Sequence, residues 1–363
     1  MTEPDSLDFE GLNQVRLGRR TLTHFSGCDY FRLARDPRVA QAARAALRSH
    51  GLNVAASRRT TGNHPIYALL EGALAEFFGA EAAVVLPDGY CAPLAVAQAL
   101  AGEYTHALVD ELAHAALLDA ARMLAVPVSA FKHRDPGALA KLAAKCGRQA
   151  RPLVLTDGMF SHDGSVAPLR AYLKILPARG LLLVDDAHGA GVLGATGRGA
   201  LEHAGVGRRR IVQCATLSKA FGAYGGVVLA SRALRERILA RSRLFAGTTP
   251  LPPPLAGAAL RAIKILRREP SRRNRLRQNA LQVRARLRAA GWNVADTPGP
   301  IVRLPALEAT QASELKSRLL AAGIYPPFLK YGNASASGCF RFVISSEHTQ
   351  GQLDTLVRAL TRR

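Results

Sequence analysis

The sequence lacks the features of a disulfide-stabilised, zinc-binding or membrane-spanning protein. Its 363 residues include five scattered cysteines and no Cys-x-x-Cys pair, which fits a reducing compartment better than a disulfide framework or a structural zinc site. No uninterrupted apolar run reaches the roughly 18 residues that indicate a transmembrane helix. The start, MTEPDSLDFE, is acidic and lacks the apolar core of a secretory signal. We therefore expect a cytoplasmic protein with no membrane span and no metal.

Acidic residues and lysine are scarce. There are 27 Asp and Glu against 49 Lys and Arg, a formal net charge of +22, and only eight of the basic residues are lysines. Such a charge suits nucleic acid or an acidic small partner, for example a phosphorylated carrier. The arginines are spread along the chain, without zinc-finger spacing or interleaved aromatics, so we expect no nucleic-acid partner. The densest basic run, 267–290, predicts one amphipathic helix with a solvated basic face. Its expected inner positions are Leu276, Ala280, Leu281, Val283 and Leu287.

Short apolar runs alternate with stretches of helical spacing through the middle of the chain. We predict seven strands, at 82–87, 105–110, 126–131, 151–158, 180–186, 210–217 and 225–231. Alternation at this pitch predicts an α/β fold in which a mostly parallel central sheet carries helices on both faces. A proline-rich break at 248–257 precedes a smaller α+β region. We therefore predict an N-terminal segment (1–40), a large domain (41–240) and a small C-terminal domain (241–363).

Polar residues follow several of these predicted strands, where ligands bind in parallel sheets. Asp185 ends an apolar run, His188 follows three residues later, and Lys219 stands just after another strand. A desolvated lysine can act as a nucleophilic amine toward an aldehyde cofactor. Pyridoxal phosphate (PLP) also needs a carboxylate beside its ring nitrogen and a phosphate cradle at a helix N-terminus. Thr216 and the turn LPDGYCAP (86–93) offer that cradle, so the combination favours a PLP site.

Two longer motifs point to a family. VDDAHGAGVLG (184–194) and ATLSKAFGAYGG (215–226) resemble the motifs of the α-oxoamine synthases, which are PLP-dependent enzymes of fold type I in the aminotransferase superfamily. The resemblance extends from CDYFRL (28–33) to FRFVISSEH (340–348). It implies the PLP-dependent transferase fold type I, with a smaller C-terminal α+β domain. The block ASRRTTGNHPIYALLE (56–71) is most similar to the oxononanoate-synthase branch of the family.

The resemblance implies a role for each cofactor-binding residue. Lys219 would be the Schiff-base lysine and the base in proton transfer, Asp185 the partner of the pyridine nitrogen, and His188 a hydrogen-bond donor to the ring hydroxyl. His114 would stack on the ring, and Ser161 would lie near the ring hydroxyl. The residues implied at the phosphate are Gly89, Tyr90 and Thr216, with Thr248 and Thr249 reaching the phosphate of the neighbouring subunit.

The neighbouring residues Asp185 and Asp186 are predicted to have different roles. Side chains alternate between the two faces of a strand, so only one of Asp185 and Asp186 can meet the ring. Asp186 is expected to support the turn, and Asn in its place should cost far less activity than Asn in place of Asp185. Asp157 occupies the position of the glutamate that is usual in the family.

On the substrate side, the resemblance implies that Arg341 binds the amino-acid carboxylate, as a bidentate guanidinium can. Cys28 and Arg58 lie in segments implied to bind substrate. The implied reaction condenses an amino acid with an acyl thioester of coenzyme A (CoA) or acyl-carrier protein. It releases the thiol and usually CO2 and forms an α-amino ketone. The implied assembly is a homodimer with shared active sites.

Several substrate-side positions depart from the family pattern. Cys28 stands where the family has asparagine, Tyr67 where it has histidine, and Cys339 where it often has a second arginine. These departures leave open an α-oxoamine synthase of a specialised pathway, with a different amino acid and acyl chain. Another fold type I reaction, that of an aminotransferase or a C–C lyase, also remains an alternative. A non-catalytic subunit is disfavoured because Lys219 is present.

Overall fold

The computed structural model of the protein describes residues 5–329 and 338–361. Within these residues the strands are β1 Asp8–Glu10, β2 Gln14–Leu17, β3 Arg20–His24, β4 Ala82–Leu86, β5 His106–Asp110, β6 Val128–Phe131, β7 Pro152–Asp157, β8 Leu181–Asp185, β9 Ile211–Thr216, β10 Gly226–Ala230, β11 Ile301–Arg303, β12 Ile324–Tyr325, β13 Phe328–Leu329 and β14 Cys339–Val343.

Most helices lie between these strands. They are α1 Pro37–His50, α2 Pro65–Phe78, α3 Cys91–Leu100, α4 Ala115–Met123, α5 Pro136–Lys145, α6 Leu169–Ile175, α7 Ala200–Ala204, α8 Arg232–Arg241, α9 Arg243–Gly247, α10 Pro253–Arg268, α11 Ser271–Ala289, α12 Ala309–Ala321 and α13 Gln350–Thr361, with a short 3-10 helix at Leu33–Arg35. Across the described ranges, none of the helices combines the length and the apolar composition needed to cross a membrane.

Packing divides the chain into two compact units. The smaller unit consists of the described residues of Met1–Arg35, Ser161–Ser165 and Ser271–Arg363, and the larger unit of Asp36–Phe160 and Val166–Pro270. The domain boundaries expected from the sequence, after residues 40 and 240, remain a prediction.

The larger unit is built on a seven-stranded sheet of order β4-β10-β9-β8-β7-β5-β6. Six strands are parallel, and β10 runs antiparallel to both of its neighbours. Consecutive residues of β7 enter different cores: Leu153 and Leu155 pack in one apolar cluster and Val154 in another. Both faces of the sheet are therefore covered, which confirms the predicted α/β fold.

The smaller unit contains two sheets, of orders β1-β2-β3-β12 and β11-β14-β13. The second sheet is antiparallel. Val302, Phe340 and Phe342 from one face of that sheet belong to a core that also includes Leu287 of α11 and Leu356 of α13. This arrangement confirms the expected smaller α+β region.

The basic run at 267–290 differs from its prediction. It is not one helix: α10 ends at Arg268 and α11 begins at Ser271, because Pro270 disfavours helical backbone at Glu269 and has no N–H to continue the ladder. Four of the five expected inner positions are buried. The exception, Leu281, is 44% exposed, because it lies five residues after Leu276 and is rotated off the buried face.

Candidate active site

The carboxyl ends of β7, β8 and β9 meet at one edge of the large sheet, where Asp157 pairs in register with Asp185. A cavity of about 150 Å³ lies at this edge, within the larger unit. It is lined by Gly89, Tyr90, His114, Asp157, Asp185, Ala187, His188, Thr216 and Lys219. The fold thus brings together seven of the residues predicted to bind the cofactor.

An amine and an imidazole meet in this cavity. Lys219 Nζ lies 2.7 Å from His188 Nε2. His188 is almost fully buried, and it is positioned by a tight turn in which Gly189 and Ala190 both donate backbone N–H groups to Asp186 O. The imidazole can therefore hold the Lys219 amine in a defined place and exchange a proton with it.

Asp185 is a buried carboxylate at the end of β8. Its Oδ1 accepts a hydrogen bond from Ala187 N at 3.0 Å. Burial raises the pKa of Asp185, while the nearby charges of Lys219 and His114 partly oppose that rise. A cationic ring N–H beside this carboxyl would favour its charged form.

Asp157 lies beside Asp185 and ties down the loop that carries His114. Its Oδ2 accepts from His114 N at 2.8 Å. The pKa of Asp157 is raised well above its usual value by burial and then by the neighbouring charge of Asp185. The sequence indicated Asp157 as a strand-end polar residue in the position of the family's glutamate, but Asp157 was not predicted to bind the cofactor. Its signal was its position at the end of the strand before Asp185.

His114 is held in one orientation. It caps the N-terminus of α4, where its Nδ1 accepts from Ala116 N at 3.2 Å. Its ring also meets the edge of Tyr90, with centroids 5.9 Å apart. With Nδ1 and the backbone N–H both engaged, the ring face is a preformed platform for a flat ligand.

A small concave surface lies where β4 leads into α3. A Cβ atom placed on Gly89 would lie 2.8 Å from Thr216 Cβ, so only glycine fits there without movement. The Thr216 hydroxyl donates to Gly225 O at 3.1 Å and accepts from Ser218 N at 3.2 Å. The N-terminus of α3 suits an anion such as a phosphate, and the Thr216 hydroxyl, whose one proton is donated to Gly225 O, borders the same surface.

Asp186 does not line the cavity but is buried behind it. Its Oδ2 accepts from Ala200 N at 2.8 Å and from Gln213 Nε2 at 2.6 Å. Its Oδ1 is buried and has no hydrogen-bond partner among the described residues. Burial raises the pKa of Asp186 to about 7. The two neighbouring aspartates are therefore in different environments.

Three predicted site residues of the larger unit lie away from the cavity. Arg58 forms a buried ion pair with Glu71, 2.5 Å between Nη1 and Oε1, and its guanidinium lies over the Tyr67 ring at 4.9 Å. Thr248 donates its hydroxyl to the preceding helix, and Thr249 is exposed. The substrate-binding and phosphate-binding roles of these residues remain predictions.

Three other predicted residues come together in the smaller unit. Arg341 Nε donates to Ser161 O at 2.5 Å, and Arg341 Nη2 lies 4.0 Å from Cys28 Sγ. Arg341 is buried on β14. A guanidinium carries five N–H donors in a fork that matches a carboxylate, and this is the chemistry predicted for Arg341.

The residue types of the cavity fit PLP. Lys219 offers an amine for the aldehyde, Asp185 a buried carboxylate for the ring nitrogen, and His188 an imidazole for the ring hydroxyl. The Gly89 surface offers room for the phosphate next to Thr216. Burial raises the pKa of Asp185, and a cationic ring nitrogen beside this carboxyl would oppose that rise.

Comparison with known proteins gives the family. A model of the aminotransferase class I and II family matches residues 23–360. The chain is 38% identical over 344 residues to an 8-amino-7-oxononanoate synthase of Methylococcus capsulatus, covering 93% of this chain and 88% of that protein.

Solved structures give the same result. Sphingomonas wittichii serine palmitoyltransferase superposes with a TM-score of 0.93 at 26% identity, covering 99% of this chain and 92% of that one. The 8-amino-7-oxononanoate synthase of Francisella tularensis superposes with a TM-score of 0.81 at 26% identity, covering 94% and 97%. The chain therefore belongs to the aminotransferase class I and II family and, within it, to the α-oxoamine synthases.

Proposed function

We propose that this protein is a PLP-dependent acyltransferase that condenses an amino acid with an acyl thioester. The reaction releases the thiol and usually CO2, and it yields an α-amino ketone, as an 8-amino-7-oxononanoate synthase does. The observation that carries the proposal is the 2.7 Å contact between Lys219 Nζ and His188 Nε2 in the cavity that also holds Asp185. The chain is also 38% identical to a protein named for this activity.

The chemistry divides between the cofactor and the chain. When bound, PLP supplies a ring that withdraws electrons from the Cα of the amino acid. Lys219 Nζ takes the proton from that Cα, and His188, in contact with the amine, orients it. Asp185 supplies the negative charge that keeps the ring nitrogen protonated. His114, whose backbone N–H is bound by Asp157, lines the cavity and would exclude water from the bound ring.

The Cα that has lost its proton is the nucleophile of the condensation. The Cα attacks the thioester carbonyl, so a C–C bond forms, the C–S bond breaks, and the sulfur leaves as a thiolate that takes a proton from solvent. Loss of CO2 from the amino-acid carboxyl then leaves Cα to regain a proton, for which Lys219 Nζ is the positioned donor. Arg341 is proposed to hold the carboxylate before that loss.

The acyl carrier is CoA or an acyl-carrier protein in this proposal. Both are anionic, and the formal charge of +22 suits either, since a basic protein attracts acidic partners over long distances. Cys28 and Cys339 support the variant of the proposal in which the amino acid and acyl chain differ from those of oxononanoate synthases. Tyr67 is fully buried, and its hydroxyl donates to Leu251 O at 2.7 Å, so it serves packing.

The proposal includes a homodimer with shared active sites. Leu52 and Leu69, in the N-terminal part of the larger unit, are 69% and 65% exposed, as expected of side chains that a second copy would cover. Thr248 and Thr249 do not line the cavity of their own chain, which is consistent with a role at the phosphate of the partner. A cytoplasmic location, expected from the cysteine usage, is part of the same proposal.

The first test is cofactor attachment. Protein supplied with PLP should show an absorption band near the visible–ultraviolet border, and borohydride should fix the cofactor to the Lys219 peptide. Lys219→Ala should lose the band and the fixed peptide. Lys174→Ala, which removes an exposed lysine of α6, is the control and should keep both. If Lys219→Ala retains the band and full activity, the proposal fails.

The second test separates the reaction classes. Amino acids are supplied with and without acyl-CoA, and free thiol and keto acid are measured. Thiol release that requires both substrates supports the condensation. Keto-acid formation without thioester would instead identify an aminotransferase, and cleavage of a substrate C–C bond without thioester would identify a lyase.

A further inference from the structure

Two arginines face each other across the antiparallel strands of the smaller unit. Arg303 on β11 pairs directly with Arg341 on β14. Directly opposite residues of an antiparallel pair project to the same face, with Cβ atoms about 5 Å apart. Like charges placed opposite each other in this way destabilise a sheet, so an arginine pair needs compensation.

The face that carries this pair is opposite to the core. Val302, Leu304, Phe340 and Phe342, which alternate with the two arginines, all belong to the apolar core of the unit. The segment 161–165 covers part of the arginine face. Within that segment Ser161 O accepts from Arg341 Nε, and a Cβ atom on Gly164 would lie 3.2 Å from Ile301 Cβ.

Arg303 has no counter-ion on this face. No Asp or Glu in residues 5–329 and 338–361 forms an ion pair with it, and its Nε is buried without a hydrogen-bond partner among those residues. Asp163, the only acidic residue of the segment 161–165, is already engaged: it accepts from Ser165 N at 2.8 Å and lies 3.4 Å from His162 Nε2.

Arg303 is only partly buried as a residue, although its Nε is buried without a hydrogen-bond partner among the described residues. A buried donor without an acceptor is costly, and a carboxylate would satisfy it and relieve the repulsion from Arg341. A guanidinium presents its donors in a fork that matches a carboxylate. The surroundings of Arg303 are thus those of a binding residue rather than those of a structural ion pair.

We infer that Arg303 binds a second carboxylate of the substrates, next to the one held by Arg341. The inference rests on the proposed function, in which Arg341 takes the amino-acid carboxylate. The second carboxylate belongs either to the side chain of a dicarboxylic amino acid or to the far end of an ω-carboxyacyl thioester. The chemistry recognised is the same in both, and the experiment distinguishes them.

The experiment measures thiol release by the PLP-loaded protein for a grid of substrates. The amino acids are L-alanine, L-aspartate and L-glutamate, and the thioesters are heptanoyl-CoA and pimeloyl-CoA. Wild type should favour the substrate with the extra carboxylate by about 10-fold to 100-fold in kcat/KM, the range of one charge-assisted hydrogen-bond pair. A preference for L-aspartate or L-glutamate over L-alanine identifies a side-chain carboxylate. A preference for pimeloyl-CoA over heptanoyl-CoA identifies an ω-carboxylate.

Arg303→Gln should abolish that preference and leave kcat/KM for the substrates without the extra carboxylate unchanged. Arg303→Lys, which keeps the charge without the fork, should retain part of the preference. Arg288→Gln, which removes an arginine of α11 paired with Asp296, is the matched control and should behave as wild type. Calorimetric titration with glutarate, against butyrate, gives a second readout: wild type and Arg288→Gln should favour the dicarboxylate, and Arg303→Gln should not.

Two results would overturn the inference and leave the proposed function intact. One is thiol release without any preference in wild type. The other is an equal loss for every substrate in Arg303→Gln, since that loss would place Arg303 at the shared carboxylate or in the fold. Thiol release with none of the pairs, together with a dicarboxylate preference in the titration, would instead reject the proposed function and keep the carboxylate site.

Discussion

Asp186 is a buried carboxyl whose pKa should control how the stability of the protein depends on pH. Its burial raises its pKa to about 7, and hydrogen bonds from Ala200 N and Gln213 Nε2 to one oxygen only partly oppose this. In the unfolded chain the same group has a pKa near 3.9. Between these values the folded protein holds a proton that the unfolded chain has lost, so stability falls as pH rises.

The magnitude follows from the width of that window. From pH 5 to pH 8 the folded protein passes through its pKa of about 7, while the unfolded group is already ionised. Between pH 5 and this pKa, over about two pH units, the folded protein holds one proton more than the unfolded chain. This difference corresponds to about 3 kcal/mol lost from the free energy of unfolding by pH 8. For a chain of 363 residues, the average unfolding entropy per residue converts this to a fall in Tm of about 4 °C.

The perturbation is Asp186→Asn, which has nearly the same shape and does not ionise. We expect the Tm difference between variant and wild type to rise by about 4 °C in favour of the variant between pH 5 and pH 8. The assay is thermal unfolding of cofactor-free wild type and Asp186→Asn. The other titrating groups contribute equally to both proteins, so their effects cancel in the Tm difference. A difference that is constant across this range would mean that Asp186 ionises with an ordinary pKa, and it would refute the reasoning.

Three further predictions concern activity, cofactor affinity and packing. Asp185→Asn should lower kcat about 100-fold or more, because the charge at the ring nitrogen is lost, whereas Asp186→Asn should change it far less; equal losses would contradict the assignment. Gly89→Ala forces a Cβ to within 2.8 Å of Thr216 Cβ, so spectrophotometric titration should show PLP binding weakened about 10-fold. Arg58→Met removes the closer arginine partner of the buried Glu71 carboxylate, which keeps Arg235 at 3.6 Å and the Val85 N–H, and denaturant unfolding should show a loss of about 2 to 3 kcal/mol. That loss should be recovered in part by adding Glu71→Gln, and unchanged stability with lost substrate binding would favour the substrate role.

The central sheet was predictable because local composition decides it. Apolar and β-branched runs such as residues 181–185 favour buried parallel strands, and all seven predicted strands are present to within two residues at each end. The same local signals predicted one long basic helix where there are two, because Pro270 interrupts the helix despite the helical periodicity on either side of it. Leu281 shows the limit of periodicity, since a shift of one position moves a side chain from the core to solvent.

The site was predictable as a set of residue types and not as an arrangement. Asp185, His188 and Lys219 stand in motifs that indicate a PLP site from the sequence alone. Asp157 became a site residue only through its register with Asp185 on the neighbouring strand, and such pairings join residues that are far apart in the chain. The contact of Asp157 with His114 N spans 43 residues and leaves no mark in either local sequence.

The sequence by itself determined the fold class, the alternation of strands and helices, and the amine, carboxylate and imidazole that make a PLP site. These follow from hydrophobic period and side-chain chemistry, which are local properties. Only the tertiary structure decided that Asp186 is buried behind the cavity, that Arg58 is paired with Glu71, and that Arg303 faces Arg341. Strand register and burial produce these differences. They change the electrostatic environment of a group without changing its identity, and that environment determines what the group can bind.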